Sequence, residues 1–294
     1  WKFLKLPEPT KIQYSIADYL QHGSQRQIIS AFRGAGKSWC TSAFVLWKLL
    51  LNPQLNILVV SASKNRADDF STFCLRLLSE MEILKHLYPK DNQRQSKISF
   101  DVATAIASHQ PSVKSLGINS QITGSRADIC LIDDAETSGN TQTQLMREKL
   151  SEQIKEFEAV IKPDNSRIIF LGTPQTEQSI YNKLQERGYK IRFWTARYPT
   201  EIQLKSYASN LAPIISNTWT HDLIGKPTDP TRFDETDLLK REASYGRLGF
   251  EMQYMLSTSL DDLDRYPLKL SDLSVMNLNL ETAPQKVIWA SSPE

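Results

Sequence analysis

The chain has 294 residues, 40% of them apolar and 23% charged, and a formal net charge of +2. That length can bury one large core or two small ones and fits a soluble globular protein, while the near-neutral balance excludes an overall basic field for gripping nucleic acid, so any DNA contact must be local. No run approaches the roughly 18 apolar residues of a membrane-spanning helix, and no signal-peptide pattern opens the chain. Cys40, Cys74 and Cys130 are widely spaced and point to a reduced, intracellular protein. His22, His86, His109 and His221 lack metal-ligand spacing, so no zinc site is expected. The chain opens on Trp1 rather than Met, which reads as a trimmed fragment.

An opening segment, 1–24, is broken by Pro7 and Pro9 and then carries a short helix over Lys11–Gln21. Gln27–Ala31 reads as a buried strand, and Ser38–Leu51 as a helix stopped by Asn52-Pro53. Asn56–Ser61 is a second apolar strand, followed by an amphipathic helix over Ala67–Leu84. Lys97–Ala105 and Ser112–Ile118 alternate as two neighbouring strands. Ala127–Ile132 is an apolar strand running into Asp133-Asp134, and Gln142–Val160 is a charged amphipathic helix. A strand over Arg167–Leu171, a helix over Gln178–Arg187 and a strand over Lys190–Trp194 follow. Apolar strands alternating with helices predict an α/β fold with a mostly parallel central sheet flanked by helices. Residues 1–199 form the expected core, 200–260 a small helical lid, and 261–294 a linker toward a further domain.

Phe32-Arg-Gly-Ala-Gly-Lys-Ser38 lies between the first strand and its helix, the layout of a phosphate-binding loop. Arg33, Gly34, Ala35, Gly36, Lys37, Ser38 and Trp39 are the nucleotide-binding candidates there, although Trp39 and Trp47, on the following helix, suit the core better than base stacking. Lys37 is the lysine for the β/γ-phosphates, and Ser38 the hydroxyl for Mg²⁺. Ala31 stands where the strict pattern has glycine, but Gly34 and Gly36 still permit a tight turn. Asp133, at the end of a buried strand, is the second metal ligand; Asp134 or Glu136 is the base that polarises water. Thr173 and Gln175, after the Arg167–Leu171 strand, suit a γ-phosphate sensor or an ordinary capped turn. Gln13 suits adenine, or is a surface amide. Arg33 could neutralise phosphoryl charge in cis, and Arg126 suits either a neighbouring subunit's site or a surface or loop-anchoring ion pair. Lys64, Asn65 and Arg66 suit a DNA phosphate or a polar helix start.

In this order the motifs are informative together. Gln13, the loop Phe32–Ser38, Ile122-Thr-Gly-Ser-Arg-Ala-Asp128 running into Leu131-Ile-Asp-Asp-Ala-Glu136, Gly172-Thr-Pro-Gln-Thr-Glu-Gln-Ser-Ile-Tyr181 and Tyr245-Gly-Arg-Leu-Gly-Phe-Glu-Met-Gln-Tyr254 are the matching pieces. The chain resembles the ATPase domain of tailed-bacteriophage terminase large subunits, of the short-tailed-phage type, over about residues 8–260. The resemblance implies a P-loop ATPase using ATP and Mg²⁺, assembled as a homo-oligomeric ring on the portal protein. It implies a small terminase subunit as partner, non-specific double-stranded DNA as cargo, and work at the procapsid vertex in the host cytoplasm. Relatives also carry a C-terminal nuclease, whose acidic cluster does not appear before Glu294. A helicase-like DNA translocase and a nucleotide-regulated docking module are the alternatives.

Overall fold

Why these segments become strands is visible in where their side chains go. Strand β1 (Arg26–Ala31), β2 (Ile57–Ser61), β5 (Ile129–Asp133), β6 (Arg167–Gly172) and β7 (Lys190–Trp194) join β3 (Ser99–Phe100) and β4 (Val113–Gly117) in one sheet, ordered β3-β4-β2-β5-β6-β1-β7. All neighbours are parallel except β3–β4. The computed structural model describes residues 1–176 and 178–258. The expected linker, 261–294, lies outside the described residues.

Both sheet faces are buried, so alternate residues of each strand feed two separate cores. Ile28, Val60, Cys130, Ile132, Ile168 and Phe170 face helix α5 (Gln144–Val160) and α6 (Ile180–Glu186), meeting Leu150, Ile154, Phe157 and Leu184. Ile29, Val59, Leu131, Ile169 and Leu171 face the opposite core, which takes in α1 (Lys11–His22), α2 (Lys37–Leu51) and α3 (Lys64–Glu80). The three cysteines are free and buried, Cys40 and Cys74 in this core and Cys130 in the other. Between β5 and α5 lies a single helical turn, α4 (Ser138–Thr141). After β7 the chain is mainly helical: α7 (Glu201–Tyr207), α8 (Pro213–Ser216), α9 (Glu235–Phe250) and a π-helical turn, Glu251–Met255. Among the described residues no helix is long and apolar enough to cross a membrane.

Two expectations need correction. The predicted strand over Lys97–Ala105 shrinks to two residues. Ser96 Oγ accepts the Ile98 and Ser99 N–H groups, and Ala105 N–H bonds Val102 O, so turns consume the alternating segment at both ends. Its predicted neighbour does pair with it, Ser99 opposite Lys114. The helix predicted over Ala67–Leu84 instead ends at Glu80. Met81 is extended, and a 3-10 segment, Glu82–Leu87, turns Leu84 and Leu87 into the core.

Phe157 is 1% exposed and packs edge-on against Phe170 across the α5 face. Phe157→Ala is expected to cost about 3–5 kcal/mol, read as a lowered denaturation midpoint with an unchanged m-value.

Candidate active site

The loop 32–37 leaves the carboxyl end of β1, where open α/β sheets bind their ligands. Gly34 (φ 91°) and Gly36 (φ 96°) lie in the left-handed region. A Cβ on Gly34 would come within 2.8 Å of the Phe233 ring, and one on Gly36 within 2.6 Å of Gln13 Nε2. Substitution at either place is therefore strained twice, by backbone and by space. Helix α2 starts at once behind Gly36, which offers no side-chain cap, whereas Thr10, Ser63, Thr143 and Asp234 each cap their helix. The amino end of α2 thus keeps free N–H groups and the positive end of its dipole beside a cavity of about 520 Å³. Lys37 is buried there and donates from Nζ to Ala31 O at 2.7 Å. Burial lowers its pKa, and the carboxylates of Asp134 and Asp133 oppose that.

The acidic wall comes from β5. The register sets Asp133 beside Leu171 and Gly172 beside Ser30, so β6 lies between the loop strand and the acidic strand. Ser38 Oγ bridges them by donating to Asp133 Oδ2 at 3.3 Å. Asp133 Oδ1 is buried without a hydrogen-bond partner among the described residues. Burial, then the charge of Asp134, pushes the Asp133 carboxyl up to about 6; Lys37 and Ser38 pull the other way. Asp134 adopts a left-handed backbone (φ 50°), half-exposes its carboxylate to the cavity and pairs with Arg66 at 3.0 Å. Glu136 is engaged differently. At 3% exposed, it accepts from Ser179 Oγ (2.8 Å), Gln175 N (3.2 Å) and Ile180 N, fastening the loop after β6 and the start of α6. Burial raises its pKa against those three bonds.

Arg33, Gly34, Gly36, Lys37, Ser38, Trp39, Asp134, Glu136 and Thr173 all line the same cavity. Ala35 is buried beneath it, and Asp133 lines an adjoining cavity together with Ser38 and Asp134. Trp39 is 40% exposed with its ring edge-on to Phe73, so the expected core position is wrong for it: it sits on the exposed side of α2 at the cavity rim. Gln13 is 2% exposed and does not line the cavity. It accepts Thr10 N–H at Oε1 and donates from Nε2 to Ala35 O at 3.2 Å, so the surface amide is excluded and its visible work is bracing the loop. Arg126 precedes β5, at the opposite sheet edge from Asp133, and bonds Ser125 O. It is not brought to this cavity.

Arg232 and Gln253 escaped the sequence reading, and Arg66, read there as a DNA contact or a polar helix start, has a further partner. Arg66 turns toward Asp134. Arg232 and Gln253, from either side of α9, close the cavity. Gln253 O accepts Arg33 N–H at 3.0 Å, and Gln253 Nε2 donates to Pro174 O at 3.1 Å. Phe233 packs edge-to-face on Phe32 with centroids 5.2 Å apart, seating this segment on the loop. The only advance signal was the aromatic-rich run ending at Tyr254.

Residues 28–181 match the family model for the terminase large subunit, T4likevirus-type, N-terminal. The chain is 47% identical to the terminase large subunit of Enterobacteria phage T3 over 296 residues, covering 98% of this chain and 50% of that one. It therefore spans half the length of that curated relative. Among solved structures, the large terminase ATPase domain of Thermus phage P74-26 aligns with a TM-score of 0.50 at 13% identity, over 87% of this chain and 96% of that one, a likeness of fold.

The raised Asp133 carboxyl has a sign in stability. Its pKa moves from 3.8 to about 6 on folding, so the folded state holds the proton more tightly and loses stability as pH rises between those values. With divalent cations chelated, Asp133→Asn is expected to be more stable than wild type by about 1–3 kcal/mol at pH 8. The two should converge below about pH 4, measured by urea denaturation at each pH.

Proposed function

The chain belongs to the terminase large-subunit family, and on that premise we propose that it is the ATP-hydrolysing motor domain that drives double-stranded DNA into a phage procapsid in the host cytoplasm. The observation that carries this reading is an uncapped α2 amino end, behind two left-handed glycines, that faces the Asp134 carboxylate across one cavity and meets Asp133 in the cavity adjoining it. Residues 1–199 are read as the ATPase core, 200–260 as its lid, and 261–294 as a linker toward a nuclease domain.

The residues present fit Mg-ATP. The two left-handed glycines permit the tight turn that leaves backbone N–H groups free for an anion. Asp133 Oδ1, buried without a partner, and the Ser38 hydroxyl suit a hard divalent cation. No cluster of three or more His, Cys, Asp or Glu gathers among the described residues, so such an ion would draw its remaining ligands from phosphate and water. Bound there by Asp133 and Ser38, Mg²⁺ would supply neutralisation of phosphate charge.

Lys37 exchanges its Ala31 carbonyl for phosphate oxygen, and Arg33, exposed on the cavity, adds positive charge in cis. Asp134 is the better-placed base: its carboxylate is partly exposed to the cavity, while Glu136 spends its oxygens on Gln175, Ser179 and Ile180. Glu136 is then a positioning residue, setting the Thr173–Gln175 turn that senses the terminal phosphate. Trp39 flanks the loop at the rim. Gln13 holds Ala35 O in place, and adenine contact is a second use of its remaining amide capacity. Arg126, at the far sheet edge, is read as acting in a neighbour's site within a homo-oligomeric ring on the portal, with the small terminase subunit delivering DNA. The cargo is gripped through its backbone without sequence readout.

ATP turnover measured against protein concentration tests this. Specific activity is expected to rise with concentration, to vanish in Lys37→Ala, and to stay low and flat in Arg126→Ala. Asp134→Asn should lose about 100-fold or more in kcat while still binding nucleotide. Glu136→Gln should lose less, and only along with stability of the 175–180 segment. Concentration-independent turnover in wild type would sink the ring reading.

A further inference from the structure

Gln253 is the residue the proposed mechanism leaves without a task. It belongs to the π-helical turn Glu251–Met255, which ends at Leu256 with a left-handed backbone (φ 62°). The helix ends with this turn, so its last carbonyls have no intrahelical partner, and three are reused at once. Gln253 O takes Arg33 N–H, Tyr254 O takes Ala196 N–H at 2.8 Å, and Met255 O takes the Tyr207 hydroxyl. Through its side chain Gln253 also holds Pro174 O, in the turn after β6. One residue thus bonds the phosphate loop with its backbone and the β6 turn with its amide.

The amide has a second end. Because Nε2 is committed to a carbonyl, the other atom must be the oxygen. Gln253 Oε1 is buried without a hydrogen-bond partner among the described residues, on a side chain that lines the cavity, in a residue 8% exposed. A buried, unpaired amide oxygen costs on the order of 1–3 kcal/mol, a cost removed when a donor arrives.

We propose that Gln253 is a positioning residue that registers nucleotide occupancy: its unpaired oxygen accepts an O–H or N–H donor brought in with the bound nucleotide and its water, locking the π-turn, and so the lid, against the phosphate loop and the β6 turn. This rests on the ATPase reading and adds the element that reports the filled site.

The test uses the 294-residue chain with ATPγS and Mg²⁺ as probe. Amide exchange over 250–257, ATPγS affinity and kcat are measured for wild type, Gln253→Met, Gln253→Glu and Tyr207→Phe. Met keeps the length but neither donates nor accepts; Glu keeps the oxygen and, when ionised, loses the donor to Pro174. Tyr207→Phe loosens the same turn from outside the cavity. In wild type, ATPγS is expected to slow exchange across the turn. Gln253→Met should bind within about threefold of wild type, lose half or more of that protection, and lose about tenfold in kcat. If Gln253→Met folds poorly, Gln253→Leu, which likewise neither donates nor accepts, carries the same expectation. Tyr207→Phe should exchange faster without nucleotide yet keep the nucleotide-dependent protection and its kcat. Wild-type kcat and protection in Gln253→Met or Gln253→Leu overturn the proposal, as does an equal loss in Tyr207→Phe, which would make the turn merely structural. Wild type that neither binds ATPγS nor hydrolyses ATP overturns the ATPase reading itself.

Discussion

The two left-handed glycines of the phosphate loop are the constraint on which the rest of this structure closes. Each is contacted from a different direction. Phe233, just ahead of α9, lies where a side chain on Gly34 would go, and Gln13 of α1 lies where one on Gly36 would go. The loop is therefore shaped from below by the sheet, from one flank by the opening helix and from above by the carboxyl-terminal helices. Thr10 extends this tie, since its hydroxyl donates to Asp229 Oδ2 at 2.9 Å while its N–H reaches the Gln13 amide. A single hydrogen-bonded path runs from the segment before α9, through the first helix, to the Ala35 carbonyl.

The same crowding explains the charge arrangement. Lys37, Asp133 and Asp134 share one corner, where the charges of Lys37 and Asp133 each depend on their neighbours for their state. Asp133 gains from Lys37 and loses to Asp134, and Asp134 is relieved by Arg66 from α3. The corner is balanced only approximately: one carboxylate oxygen, of Asp133, and one amide oxygen, of Gln253 on the adjoining cavity, are buried without a hydrogen-bond partner among the described residues. Such unsatisfied atoms are where a folded protein stores readiness for a ligand rather than stability.

The parallel strands were legible because strands buried on both faces are uninterrupted apolar runs, and their ends fell within a residue or two of those observed. The phosphate loop and the acidic strand end were legible because each lies within one short segment. Arg66, Arg232 and Gln253 were not, since their place follows from how α3 and the chain around α9 fold back, which no local spacing encodes. Glu136 shows the limit from the other side. Its residue type and distance from Asp133 suit a base, yet three donors from a segment some forty residues onward have claimed it. Trp39 misled because an aromatic side chain on an apolar helix reads as core, and the helical face on which it falls opens on the cavity.

The bond from Lys37 to its own strand's carbonyl has a consequence for release. A buried ammonium with no protein partner would cling to whatever anion entered, because departure would strand it. Here Ala31 O offers an alternative acceptor 2.7 Å away, so the lysine changes partners rather than losing one. The affinity measured for an anion is then the difference between two bonds, smaller than the lysine's gross attraction. A nucleotide site of the kind proposed, which must empty on every turnover, benefits from an internal competitor that takes the lysine back.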